Sequence, residues 1–125
     1  MCFKSICAFS SMKRIEAIIQ EDKLGLVVDE LRASGVIGIT TMQAQGIGAG
    51  DRPMLGGSRG TAKFMAPFNK LASVIIITDD QKVDSIVKTI MDTAHTGNAG
   101  DGKIFVTNVE DAFDIATKQG GKHII

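Results

Sequence analysis

Residues 97–103 read G-N-A-G-D-G-K, and this is where residue types and spacing best allow chemistry. Gly97, Gly100 and Gly102 let the backbone turn so that successive N–H groups face one point, an anion-binding nest. Lys103 adds a positive charge beside it. The spacing matches G-x-x-x-x-G-K, but a phosphate loop needs Ser or Thr next, a strand before and a helix after. Here Ile104 follows, and the order is helix before, strand after. A P-loop NTPase is therefore rejected. Two readings stay open on spacing alone: an anion nest, or a tight helix-to-strand turn with a solvated lysine. A second group, Gly46-x-Gly48-x-Gly50, is no dinucleotide fingerprint, because Asp51 takes the sixth position and no helical pattern follows. It reads as the root of a mobile loop.

Other chemistries are poorly supplied. His95 and His123 have no partner ligands at i+3 or i+4, so no metal site is expected. Cys2 and Cys7 both fall in the first seven residues, giving neither a disulfide framework nor a Cys–His pair. They read as free thiols of a cytoplasmic protein. The acidic pairs Asp29–Glu30, Asp79–Asp80 and Glu110–Asp111 suit helix starts and solvated faces. No catalytic constellation emerges, and the chain does not read as an enzyme. Fourteen basic residues balance fourteen acidic ones, which argues against nucleic-acid binding, and the lack of Trp and Tyr removes base-stacking platforms. No apolar run reaches the roughly 18 residues of a membrane span. Residues 1–11 lack the long apolar stretch of a signal peptide and are expected to be a disordered extension.

The elements that must position the glycine groups follow from periodicity. Ile15, Ala17 and Ile19 alternate in a strand over 13–20. Leu24, Val27, Val28 and Leu31 form a helical stripe, with Asp22 as cap and Gly35 after its end. A second strand is expected over 36–45. Residues 46–60 hold six glycines and a proline, and predict a long flexible loop. Strand character returns over 71–78. After a cap at Asp79–Asp80, Val83, Ile86, Val87, Ile90 and Met91 keep a helical period to about His95. A short strand over 104–108 and a helical turn or two over 109–118 complete the domain, residues 12–118. A patternless tail, 119–125, ends the chain. The order β-α-β, loop, β-α-β predicts an α+β, ferredoxin-like antiparallel sheet with two helices on one face. Residues 74–77 are apolar at both parities, so that strand should be buried on both sides. Two helices cover only one, so a second subunit is expected on the other.

Four stretches are similar to the PII signal-transduction (nitrogen regulatory P-II-like) family: M-K-R-I-E-A-I-I at 12–19; G-V-I-G-I-T-T-M at 35–42 with Gly46-Ile47-Gly48; Arg59-Gly60; and T-A-H-T-G-N-A-G-D-G-K-I-F-V at 93–106. The last is the most specific. The resemblance implies a homotrimer with ATP, ADP or AMP held between subunits. It also implies a ligand-responsive T-loop that docks on a transporter or enzyme of nitrogen or inorganic-carbon metabolism. Carried over position by position, Gly38, Ile39, Thr40, Gly46, Gly48, Ile76, Gly100, Asp101, Gly102 and Lys103 fall on nucleotide-contacting positions. Gly50, Arg59 and Lys70 fall on T-loop or effector positions, the effector being a small anion such as 2-oxoglutarate or bicarbonate. The chain also departs from the pattern. Asp114 and Ala116 stand where the family commonly carries phosphate-binding arginines. The modifiable T-loop tyrosine is absent, with Lys63 and Phe64 nearby. Gly50 or its neighbour replaces the glutamine that helps hold Mg²⁺ and 2-oxoglutarate, which leaves Mg²⁺ unassigned. The resemblance thus points to a divergent branch. The competing readings are a structural trimer with a vestigial nucleotide site and a weak ATPase.

Overall fold

The computed structural model describes residues 11–48, 54–56, 63–65 and 68–125. Six strands and two α-helices follow in order: β1 Met12–Gln20, α1 Leu24–Ala33, β2 Thr40–Gly46, β3 Met54–Gly56, β4 Lys63–Met65, β5 Asn69–Asp79, α2 Val83–Ala94 and β6 Gly102–Val109. Four of the strands form one antiparallel sheet in the order β2-β5-β1-β6. This is the ferredoxin-like arrangement expected from the element order.

Register explains the core. Ile15 pairs with Ile76, Ala17 with Val74 and Ile19 with Ala72, so all six side chains share one face. Val27 and Leu31 of α1, and Ile86, Ile90 and Ala94 of α2, close over that face, and the eleven residues form one buried cluster. Among the described residues, no helix covers the opposite face of the sheet. There Ile75 is half-buried and Ile77 is 36% exposed, beside Met42 and Phe105, which are more exposed still. Val74 and Ile76 are buried as the doubly apolar pattern requires, while Ile75 and Ile77 remain uncovered within one chain.

Charge sits at the centre of this open face. Arg14 pairs with Glu16 at 3.0 Å, and Ser73 Oγ donates to the second Glu16 oxygen at 2.9 Å. The Ser73 hydroxyl, then Arg14, hold the Glu16 carboxyl below its ordinary range. A carboxylate with a lowered folded pKa contributes stability above its unfolded pKa. That contribution is lost as pH falls through the lower, folded value. Denaturant midpoints taken between about pH 6 and pH 3 should therefore show the wild-type advantage over Glu16→Gln shrinking as pH drops. A difference that stays constant with pH would contradict this role for Glu16.

Several local expectations need correction. The second strand begins at Thr40, not residue 36: pairing with β5 starts at Thr40 and Ile75, while residues 76–79 of β5 pair only with β1 on their other side. Asp22 caps nothing: it lies inside a 3-10 turn, Glu21–Lys23, that leads into α1 without a side-chain cap. Asp79 does cap as expected, accepting from Gln81 N at 3.1 Å. Gly35 takes φ +103 just past α1, as a helix C-terminus favours. Met91 is 53% exposed and so is not part of the core stripe. Within 46–60, the chain is not wholly irregular. Met54–Gly56 pairs with Lys63–Met65 as a two-stranded antiparallel ribbon, a pairing that suits the apolar types Met, Leu and Phe in these segments. Residues 109–118 hold a single helical-type turn, closed by Lys118 N donating to Asp114 O at 2.8 Å, and no longer helix. Phe113 bridges to Gly120 in an antiparallel pair, and Asp114 N donates to Gln119 O at 2.8 Å, so the chain turns back on itself.

Candidate functional site

The glycine segment forms the connection from α2 to β6. Gly97, Gly100 and Gly102 adopt φ of +89, +99 and +115, values that side-chain-bearing residues avoid, so the turn depends on glycine here. Its acidic residue faces inward. The Asp101 carboxylate accepts from Thr96 N at 2.7 Å, from Gly97 N at 2.9 Å and from the Thr96 hydroxyl. These bonds, with the Thr96 hydroxyl foremost, lower its pKa, and His95 at 3.8 Å adds a smaller effect. Gln20, at the end of β1, donates its side-chain amide to Gly100 O.

The root of the 46–69 excursion lies at the same end of the sheet. β2 and β5 stop pairing at Gly46 and Asn69. Together, Gly46, Gly48 and the segment from Gly100 to Lys103 line a cavity of about 590 Å³. Ile18, Leu71 and Phe105 give it an apolar floor, and Gln20, Asn69 and Asn98 give it amide groups. Lys103, exposed at its edge, has no ion-pair partner among the described residues. A flat apolar ring on the floor with an anionic tail in the glycine turn is the ligand chemistry that this lining suits.

Six of the ten expected contact residues thus come together: Gly46, Gly48, Gly100, Asp101, Gly102 and Lys103. The other four lie elsewhere. Thr40 and Gly46 are the two ends of β2, about 20 Å apart at the strand rise. Gly38 and Ile76 line a separate cavity of about 330 Å³ with Ser34, Asp79 and Lys82. The Ile76 side chain is 2% exposed beneath the helices, so that residue can offer a ligand only its backbone. Lys70 is exposed next to the Gly46 end, paired in register with Gln45. Gly50 and Arg59 lie outside the described residues.

Asp114, at a position expected to face phosphate, is engaged locally: its carboxylate accepts from Ala116 N at 3.0 Å, closing an Asx turn. Gln20, Thr96 and Asn69 were not foreseen as site residues. Gln20 ends a strand, where a polar residue is ordinary, and the only signal for Thr96 was its spacing of five from Asp101 in a glycine-rich turn. Among the described residues, no helix is long and apolar enough to cross a membrane.

The comparisons agree across the domain. The sequence model for "Nitrogen regulatory protein P-II" matches residues 12–119. The nitrogen regulatory protein P-II of Azospirillum brasilense is 38% identical over 112 residues, 88% of this chain and 96% of the relative. That of Pasteurella multocida is 37% identical over 116 residues, 91% of this chain and 100% of the relative. A "nitrogen fixation nifHD region GlnB-like protein 1" of Methanobacterium ivanovii is 35% identical over 112 residues, covering 88% and 99%.

Proposed function

Because this chain belongs to the nitrogen regulatory P-II family of signal-transduction regulators, we propose that it is a non-catalytic adenine-nucleotide sensor acting as a homotrimer. What supports this reading is that the residues expected to contact the nucleotide fall at two ends of β2. The phosphate-type half, at Gly46, Gly48 and Gly100 to Lys103, lies at one end of β2. Gly38 and Ile76 line a cavity towards the other end, where Thr40 starts β2 and Ile39 precedes it. One chain cannot fold both ends of a seven-residue strand around a single nucleotide. A neighbouring copy can bring its Gly38 end to this chain's Gly100 end. Copies meeting through the uncovered sheet face would bury Ile75, Ile77 and Met42 together. Gly46 and Asn69, the roots of the segment between them, line the same cavity as the glycine turn, so ligand state can reach that segment through them. Through it the protein controls a transporter or metabolic enzyme, with bicarbonate or 2-oxoglutarate as a second effector near Lys70.

The test is calorimetric titration with ATP, ADP and AMP, each with and without 2-oxoglutarate and bicarbonate. ADP or AMP should bind at least as tightly as ATP. Lys103 and the glycine amides can serve one or two phosphates, while Asp114 and Ala116 bring no cation for a third. Lys103→Ala should weaken every nucleotide, on the order of tenfold. ATP held tenfold tighter than ADP without an effector would mean that another cation completes the site. Absence of any nucleotide binding would overturn the sensor reading.

A further inference from the structure

A carboxylate in the middle of an anion-binding turn is at first sight counterproductive, since it repels phosphate. The geometry around Asp101 resolves this. One carboxylate oxygen accepts from the backbone N–H groups of Thr96 and Gly97, at 2.7 and 2.9 Å, and the other accepts from the Thr96 hydroxyl. That hydroxyl oxygen in turn accepts from Asn98 N at 3.3 Å. The bonds thus span the turn from its entry at Thr96 to Asp101 itself. On the far side, Gln20 fixes Gly100 O to the end of β1. Gly97 and Gly100, both at positive φ, lie within these ties, and their conformational freedom would otherwise make the turn costly to order.

We infer that Asp101 is a positioning residue: acting through Thr96 and Gly97, it holds the glycine turn in its ligand-ready shape before any ligand arrives, and does not itself touch the ligand. Asp101 was expected to be a contact residue, so this reassigns its role. The inference rests on the nucleotide-sensor reading only for what the turn binds. The brace itself can be measured in the free protein.

The experiment compares Asp101→Ala, Asp101→Asn, Thr96→Val and the double variant Thr96→Val/Asp101→Ala. The first readout is hydrogen exchange of the Thr96 and Gly97 amides without ligand. The second is ADP affinity by calorimetry, with and without Mg²⁺. Asp101→Ala should speed exchange of both amides at least tenfold and weaken ADP on the order of tenfold, since charge-assisted bonds are the strong ones. Thr96→Val should weaken ADP by a few-fold, although its side chain faces Asp101 and not the cavity. The double variant should be no worse than Asp101→Ala, as expected for two members of one network. Asp101→Asn should fall between wild type and Asp101→Ala in both readouts, since it keeps the bonds and loses only their charge assistance. Its carbonyl oxygen can accept from both amides and its NH₂ can donate to the Thr96 oxygen.

Three results would overturn the inference: unchanged amide exchange in Asp101→Ala, Asp101→Asn as poor as Asp101→Ala, or additive losses in the double variant. An Asp101→Asn loss confined to Mg²⁺-containing buffer would also overturn it, and would instead make Asp101 a metal-side ligand. If wild-type protein binds no ADP, the sensor reading fails, while the exchange data still decide whether Asp101 braces the turn.

Discussion

Gly102→Ala should cost more than about 3 kcal/mol, a large share of the roughly 5–15 kcal/mol total stability of a domain of this kind. Gly102 opens β6 and pairs with Ile19 of the central strand. At φ +115 an added Cβ would lie 1.8 Å from Ile18 O, 2.9 Å from Ile18 C and 3.1 Å from Ile19 Cα. All three are backbone atoms of β1, which is hydrogen-bonded on both sides, so no rotamer change relieves the contact. Relief requires β6 to peel from β1 at the point where the glycine turn joins the sheet. Urea unfolding would show this as a collapsed midpoint, or as protein recovered only in aggregates. Gly25→Ala makes the control. That helical glycine has nothing within 4 Å of its added Cβ, and alanine there should stabilise by about 0.5–1 kcal/mol. A Gly102→Ala protein with an unshifted midpoint would show that this close approach is not real.

Ile75→Lys should convert the assembly from about three times the 13.3 kDa chain mass to single chains, as read by light scattering at micromolar concentration. Ile75 lies near the middle of the open sheet face, in register with Glu16 on β1 and Thr40 on β2. Within one chain a lysine there finds a counter-charge across the strand, so the fold should persist with unchanged circular dichroism. Between chains the same lysine removes roughly 1.5–3 kcal/mol of apolar burial per copy and asks the interface to desolvate an ammonium, a cost of several kcal/mol. Three like charges would also gather around one axis. Nucleotide binding should be lost with the assembly, because the two halves of the site would no longer meet. An Ile75→Lys variant that still scatters as a trimer would exclude this face as the contact between copies.

The core was legible because burial imposes simple periods. Ile15, Ala17 and Ile19 at period two, and Val27 with Leu31 at helical spacing, were assigned to the buried face and lie there. What failed was decided by tertiary pairing. Nothing local says that β2 starts at Thr40, and β5 itself runs on to Asp79; where the two strands begin to pair is a tertiary fact. Phe113 and Gly120 meet as a bridge across residues that, read locally, suit a helical turn, and a pattern of spacing does not reveal that partner. Met91 keeps the helical period, yet falls beyond what the sheet can cover. The site shows the same division. The glycine turn and the Gly46 root were visible as composition, and the fold brings them to one cavity. That Asp101 points back at Thr96, that Gln20 holds Gly100, and that Ile76 is sealed in the core follow from backbone geometry, which spacing does not encode.

In the proposed trimer, the separation of the two half-sites along β2 has a genetic consequence. Each chain in a cyclic trimer lends one half to the cleft on its left and the other half to the cleft on its right. An allele that damages only the Lys103 end spoils one cleft per defective chain. An allele damaging both ends spoils two. Two alleles damaged at opposite ends, each inactive alone, restore one working cleft in every mixed trimer, the one where the undamaged ends face each other. The gene would thus show complementation between alleles of a single locus, and its dosage behaviour would report which end of the strand a given lesion has struck.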